Sequence, residues 1–163
     1  GADLEKAITP KTKWLILNNP CNPTGAAYNA AELKQLTDVL MRHPDVVRAA
    51  VSNSPVTDYR LYDTAYSERY LGLPETSPAA YDRAAALTYA SQLQGDLMLF
   101  YGTSDDNVHP GNTLQLIKAL QTAGKSFDVQ VGPDRGHTAV DLVRMMEFFI
   151  EKLVMANRDD RPR

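Results

Sequence analysis

The sequence lacks the long apolar stretches, the cysteines and the excess of basic charge that mark membrane, disulfide-rich and nucleic-acid-binding proteins. Its longest apolar runs, Trp14–Leu17 and Leu97–Tyr101, are far shorter than the about 20 residues of a membrane-spanning helix. No basic segment followed by an apolar stretch opens the chain, so no signal peptide is visible. The single cysteine, Cys21, cannot form an internal disulfide, and the net charge of −3 gives no reason to bind nucleic acid. We therefore expect a soluble chain with neither a membrane nor a nucleic acid among its partners.

What is present is an ordinary globular composition, with 163 residues of which 44% are hydrophobic. Apolar runs predict strands, and helical spacings predict helices. The strands are predicted at residues 13–18, 47–51, 97–101 and 127–131, the main helices at 29–42, 113–123 and 139–155, a short helical turn at 3–8, and a loop with short helices at 58–90. This order predicts an α/β three-layer sandwich with about four parallel strands and helices on both faces.

Polar segments follow each predicted strand, at the edge of a parallel sheet where ligand sites lie. They are residues 18–25, 52–58, 102–109 and 132–137. The three histidines are not spaced with cysteines or carboxylates as metal ligands are, so we expect no metal site.

Three segments carry a resemblance to a known family: residues 55–74 (PVTDYRLYDTAYSERYLGLP), residues 101–129 (YGTSDDNVHPGNTLQLIKALQTAGKSFDV) and Gly136-His137. Residues 44–155 resemble the C-terminal half of the catalytic domain of dipeptidyl-peptidase IV-like enzymes, in the prolyl oligopeptidase group of serine peptidases. The resemblance implies a partial α/β-hydrolase unit over two thirds of the chain.

The first part of the chain resembles another family. Residues 4–43 contain ITPKTKWLILNNPCNPTGAAYNAAELKQL, with an Asn-Pro-x-Asn-Pro-Thr-Gly core at residues 19–25. This segment is similar to fold-type I aminotransferases, which use pyridoxal phosphate (PLP). In that family the second asparagine of the motif, here Asn22, hydrogen-bonds the cofactor's ring oxygen. The chain therefore reads as a chimera joined near Met41–Val46, with an aminotransferase-like unit at 1–43, a hydrolase unit at 44–156 and a disordered tail at 157–163, together forming one structural domain.

The peptidase resemblance implies that Asp105 is the carboxylate of a catalytic triad and that His137 is its base. Their order, Asp before His, agrees with α/β-hydrolases. The missing member is the nucleophile, because no Gly-x-Ser-x-Gly turn occurs in the sequence. Ser52, Ser54 and Ser104 are poor substitutes, and Cys21, which lacks flanking glycines, is an ordinary loop residue in the favoured interpretation. We therefore expect little or no peptidase activity.

The same resemblance implies part of an S1 substrate pocket. Its residues are Val56, Tyr59, Tyr62, Tyr66, Asn107 and Val108. Aromatic walls suit a proline ring, so the expected ligand is a peptide with a small or proline residue at P1. The three tyrosines would share one face if the segment were helical; a tyrosine-rich packing segment is the equal alternative.

Two non-peptidase functions stay open. A scaffold or assembly module, engineered or recombined, would form a homo-oligomer through a sheet edge or the C-terminal helix, where Met145, Met146, Phe148, Phe149 and Leu153 are candidate interface residues. A weaker hypothesis is PLP or anion binding by the loop at residues 19–25. Since the lysine and the carboxylate that PLP chemistry needs are missing from the aminotransferase-like segment, we expect no cofactor.

Overall fold

A computed structural model describes residues 2–9, 48–138 and 141–155. The chain divides into two compact units, residues 1–48 and 49–163. In the first unit the structure describes one short helix, α1 (Ala2–Ala7), which has no buried side chain. The predicted strand at 13–18, the helix at 29–42 and the tail at 157–163 lie outside the described residues. The domain boundary at 43/44 stays a prediction, as does the single structural domain.

The second unit is built on a parallel sheet of three described strands in the order β1-β2-β3. The strands are β1 (Ala49–Asn53), β2 (Asp96–Gly102) and β3 (Asp128–Gly132). In the register, Val51 of β1 pairs with Met98, which in turn pairs with Asp128 of β3. Parallel neighbours require crossover connections, and this sheet with its helices confirms the predicted α/β class.

The crossover between β1 and β2 contains only short helices. They are a 3-10 helix (Tyr59–Leu61), α2 (Thr64–Leu71), α3 (Pro78–Ala84) and a second 3-10 helix (Ala86–Gln92). Helix α2 begins where it does because the Asp63 carboxylate accepts hydrogen bonds from the amides of Ala65 and Tyr66. This crossover replaces the single long helix of a simple β-α-β unit with a set of turns that carries most of the tyrosines.

One face of the sheet packs against α4 (Gly111–Thr122), which connects β2 to β3. The core on this side consists of Ala90, Leu99, Leu116 and Leu120. Leu116 and Leu120 lie one helical turn apart on the inner face of α4, as the spacing of the predicted helix requires. Burial of these side chains fixes α4 against β2, and thereby the start of the helix beside the end of β2.

The other face of the sheet is covered as well. Met98 and Phe100 point away from Leu99 because side chains alternate along a strand, and both are buried. Helix α5 (Leu142–Phe149) continues into a π-helical turn (Ile150–Met155). There Lys152 forms ion pairs with Asp96 and Asp128, at the starts of β2 and β3. The predicted helices on both faces are therefore observed.

Helix α5 begins at Leu142, whereas the prediction started it at residue 139. The Asp141 side chain accepts hydrogen bonds from the amides of Val143 and Arg144 and so caps the helix. Within the described part of the chain, no helix is long and apolar enough to cross a membrane.

Candidate active site

Asp105 lies in the loop that follows β2, with its side chain fully buried. Its Oδ1 accepts hydrogen bonds from the backbone amides of Val108, at 2.8 Å, and Asn107, at 3.1 Å. These short-range bonds hold the carboxylate in a turn that the loop itself forms. The Asp105 carboxylate is thus held by its own loop, independently of its contact with another part of the chain.

His137 follows β3 and meets this carboxylate, although it lies 32 residues further along the chain. Its Nδ1 is 3.0 Å from Oδ2 and 3.2 Å from Oδ1 of Asp105. The imidazole is 43% exposed, in contrast to the buried carboxylate. The structure therefore brings together the two residues to which the sequence assigned acid and base roles.

The loop that carries His137 lies directly over the end of β2. The amide of Ser104 donates to the carbonyl oxygen of Arg135 at 3.0 Å, and the amide of Asp134 donates to Thr103 Oγ1 at 2.8 Å. Gly102 permits this approach, because a Cβ there would collide with the carbonyl oxygens of Arg135 and Gly136. A glycine at the end of β2 is thus a condition for the Asp105–His137 contact.

A side chain from β1 also holds this loop. Asn53, the last residue of β1, donates from Nδ2 to the carbonyl oxygen of Thr138 at 3.0 Å. All three described strands therefore contribute to placing the histidine, β1 through Asn53 and β2 and β3 through the turns at their ends.

The environment of Asp105 favours its ionised form. Burial raises the pKa of Asp105, but hydrogen bonds from the Val108 amide and the His137 ring lower it by more, so the net pKa lies below its ordinary value. The Ser54 hydroxyl and the Asn107 amide act in the same direction. Ser54 Oγ is buried and near enough to lower the pKa, although it does not reach hydrogen-bond geometry with any acceptor in the described residues.

The three tyrosines predicted for the substrate pocket cluster with a fourth. The rings of Tyr59 and Tyr66 stack at 6.4 Å, and Tyr62 meets them edge-on at 6.5 and 5.8 Å. Tyr70, which the sequence reasoning missed, lies 5.0 Å from Tyr66. Burial, and then the neighbouring Tyr66 and Tyr62, raise the pKa of Tyr59.

A shared helical face does not produce this cluster. Tyr59 lies on a 3-10 helix, Tyr62 terminates it, and only Tyr66 and Tyr70 lie on α2. The cluster forms because the chain turns between the two helices. Of the other predicted pocket residues, Val108 is buried, Val56 is half-buried and Asn107 is exposed.

Asn112, which sequence reasoning missed, joins the tyrosine segment to the start of α4. It is completely buried. Its Oδ1 accepts from the amides of Thr57 and Asp58, and its Nδ2 donates to the carbonyl oxygens of Leu61 and His109. The sequence spacing could have indicated its burial, because Asn112 precedes Leu116 and Leu120 by four and eight residues and so lies on the same buried face of α4. A polar side chain on that face needs hydrogen-bond partners.

Other candidates fall outside the described structure or show no cluster. Asn22 and Cys21, with the whole motif at 19–25, lie outside the described residues, so PLP or anion binding stays a prediction. Among residues 2–9, 48–138 and 141–155, no three histidine, cysteine or acidic side chains group as metal ligands would.

A buried carboxylate after one parallel strand, hydrogen-bonded to a histidine after the next, has the arrangement of the aspartate and histidine of an α/β-hydrolase triad. The prolyl oligopeptidase family model matches residues 35–154, and the chain belongs to this family. A second family model, aminotransferase class I and II, matches residues 2–47. The two matches divide the chain between them, apart from a shared segment at residues 35–47, as expected for a chimera of the two families.

Relatives of both kinds match the chain, and the aminotransferase match is not confined to residues 2–47. A probable dipeptidyl-aminopeptidase B of Talaromyces marneffei is 46% identical over 88 residues, which are 52% of this chain and 10% of that protein. A probable aspartate/prephenate aminotransferase of Rhizobium leguminosarum is 39% identical over 131 residues, 80% of this chain and 31% of that protein. The chain thus spans about a tenth and about a third of these relatives.

Solved structures support the hydrolase fold of the second unit. Dipeptidyl peptidase 4 of Porphyromonas gingivalis matches with a TM-score of 0.65 and 34% sequence identity, covering 71% of this chain and 17% of that one. A dipeptidyl aminopeptidase IV-like protein of Bacteroides ovatus matches with a TM-score of 0.61 and 30% sequence identity, and the match again covers 71% of this chain and 17% of the other. The peptidase resemblance read from the sequence is therefore confirmed for the family and the fold.

Proposed function

We propose that the chain is a serine-peptidase-type hydrolase unit that holds the acid, the base and part of the S1 pocket of a catalytic site, and that it has little or no peptidase activity by itself. The observation that carries this proposal is the Asp105–His137 contact at 3.0 Å in a sequence with no Gly-x-Ser-x-Gly turn. A triad without its serine has no nucleophile with which to attack a peptide bond.

The substrate class follows from the tyrosine cluster and from the relatives. The prolyl oligopeptidase family model matches residues that include the cluster, and dipeptidyl aminopeptidases are among the relatives of the chain. The stacked rings of Tyr59 and Tyr66, with Tyr62 edge-on to both, offer flat apolar walls. A proline ring packs well on such walls. The peptide for which this unit is built therefore has proline or a small residue at P1.

The test is a dipeptide p-nitroanilide assay with proline at P1, run on the full chain and on His137→Ala. We expect no release of nitroaniline from the full chain above that of the variant. His109→Ala is the matched control, since it removes a different histidine. Turnover by the full chain that His137→Ala abolishes would contradict the proposal.

A second candidate function, self-association, is favoured by the exposed side of α5 and the following π-helical turn. Its apolar side chains recur at helical spacing and include Leu142, Val143, Met146, Ile150 and Val154, all 46% exposed or more. Of the interface residues expected from the sequence, Phe148 is excluded because its side chain is completely buried. Exposed apolar stripes of this kind are typical of interfaces between chains.

Light scattering after size exclusion tests the assembly. We expect a dimer in the full chain, and a monomer when Val143→Glu and Met146→Glu place charge on the stripe. Glu147→Gln, on the same helix, is the control that should leave the mass unchanged. A monomer at high protein concentration would contradict this second function.

A further inference from the structure

We propose that His137 is itself a nucleophile toward activated carboxylic esters, with Asp105 holding its ring, so that the chain has an esterase activity that needs no serine. The inference goes beyond the proposed function and uses its Asp105–His137 pair. It concerns phenyl-type esters, whose leaving group departs as a stable anion, and excludes peptides and anilides.

The hydrogen bonds of the pair fix the tautomer of His137. An ionised carboxylate only accepts hydrogen bonds, and the low pKa of Asp105 keeps it ionised at neutral pH. Nδ1 of His137, 3.0 Å away, must therefore carry the proton. In the neutral ring Nε2 then has a free lone pair, which is the electron pair that a nucleophile requires.

The exposure of the ring makes this lone pair reachable. Asp105 is buried at one edge of the imidazole, while 43% of the His137 side chain is open to solvent. Among the described residues, no hydrogen-bond donor or acceptor contacts Nε2. Within residues 2–9, 48–138 and 141–155, an ester can approach Nε2 without displacing a hydrogen-bonded group.

His109 provides an internal contrast, because its hydrogen bond fixes the opposite tautomer. Its Nδ1 accepts a hydrogen bond from the amide of Gly111 at 3.0 Å. In neutral His109 the proton therefore sits on Nε2, and the only lone pair is already used. Of the two described histidines, His137 therefore has a ring-nitrogen lone pair with which to attack and His109 does not, although both side chains are exposed.

The reaction proceeds in two balanced steps. The Nε2 lone pair of His137 attacks the ester carbonyl carbon, the carbon–oxygen bond to the phenolate breaks, and an acyl-imidazolium forms as the phenolate leaves. Water then adds to the acyl carbon, the carbon–nitrogen bond breaks, and the carboxylate and protons leave to solvent while the neutral imidazole is regenerated. No oxidant, reductant or metal is required.

Asp105 contributes in the first step, where the ring becomes a cation. Its buried carboxylate already accepts the Nδ1–H hydrogen bond and stabilises the positive charge, as the aspartate of a triad does for its imidazolium. Amides are not cleaved by this route, because without an acid to protonate it the nitrogen would have to leave as an anion, which imidazole cannot expel. The proposed esterase activity is therefore consistent with the absence of p-nitroanilide cleavage.

The experiment measures p-nitrophenyl acetate hydrolysis by the full chain in a Cys21→Ser background, which removes attack by the thiol. A positioned imidazole that acts as a general base contributes about a hundredfold or more in rate. With a tenth of that as the lower limit for its action as a nucleophile, we expect His137→Ala to lower the second-order rate constant at least about tenfold. Asp105→Asn keeps the ring but removes the carboxylate, and should lower the rate as well. His109→Ala is the matched control and should leave the rate within about twofold.

A second readout locates the acyl group. Acid quenching of the reaction followed by mass spectrometry of peptides should show the acetyl group on the peptide that contains His137. Equal rates in the background chain and in folded His137→Ala, or an equal loss in His109→Ala, would overturn the inference. These outcomes are independent of the p-nitroanilide assay, so the failure of one proposal can be told from the failure of the other.

Discussion

Replacing Asn112 by alanine should weaken the second unit strongly, because this side chain closes the contact between the tyrosine segment and α4. It makes four hydrogen bonds to the main chain, at 3.1 Å to the Thr57 amide and at 3.3–3.4 Å to Asp58, Leu61 and His109. None of these groups lies in a strand or in the interior of an α-helix.

The magnitude follows from what the variant leaves behind. Thr57 is completely buried, and a buried donor without a partner costs about 1–3 kcal/mol. The other three hydrogen bonds are longer and contribute less. We assign each of them about 0.5 kcal/mol, the lower end of the range for an internal hydrogen bond. We therefore expect Asn112→Ala to lower the free energy of unfolding by about 3 kcal/mol.

Urea unfolding followed by far-ultraviolet circular dichroism measures this loss, and Gln115→Ala is the control because Gln115 is exposed on the same helix. We expect a large shift of the unfolding midpoint for Asn112→Ala and almost none for Gln115→Ala. A loss below about 0.5 kcal/mol for Asn112→Ala would refute the reasoning, because it would mean that the buried amides are satisfied in some other way.

Three further results are expected. Gly102→Ala should separate His137 from Asp105, because the new Cβ takes the space of the loop carbonyls; a proton NMR spectrum of the His137 ring identical to that of the parent would contradict this. Since the folded pKa of Asp105 is lowered below 3.8, its stabilising contribution is present above that pH and is lost as pH falls through the folded value, so acid should destabilise the parent more than Asp105→Asn. The pKa of Tyr59 is raised above 10.0, so in an alkaline absorbance titration Tyr59→Phe should remove a tyrosine that ionises at higher pH than an ordinary one. Loss of a tyrosine that ionises at lower pH instead would contradict the burial of Tyr59.

The pairing of Asp105 with His137 could be anticipated from the sequence, because parallel strands bring the residues that follow them to one edge of the sheet. Apolar runs and the helical spacing of apolar residues were enough to predict the bounds of β2, β3 and α4 within a few residues. The family resemblance then assigned roles that the pattern alone leaves open.

Other features depend on contacts that no local pattern encodes. Three of the four side-chain hydrogen bonds of Asn112 reach residues 51 to 55 positions earlier in the chain. The burial of Phe148 and the exposure of Met146 follow from the rotation of α5 on the sheet, which packing decides. The need for glycine at position 102 appears only when the His137 loop lies over it.

The central claim is that Asp105 and His137 form one acid–base pair, and the imidazole tautomers measured by nitrogen-15 NMR at neutral pH test it most directly. We expect the Nδ1–H form for His137 and the Nε2–H form for His109. In Asp105→Asn the amides of Asn107 and Val108 should hold the side-chain oxygen at the Oδ1 position, which turns the new amino group toward Nδ1 and shifts His137 to the Nε2–H form. A His137 ring that is already in the Nε2–H form in the parent, or that does not respond to Asp105→Asn, would contradict the account.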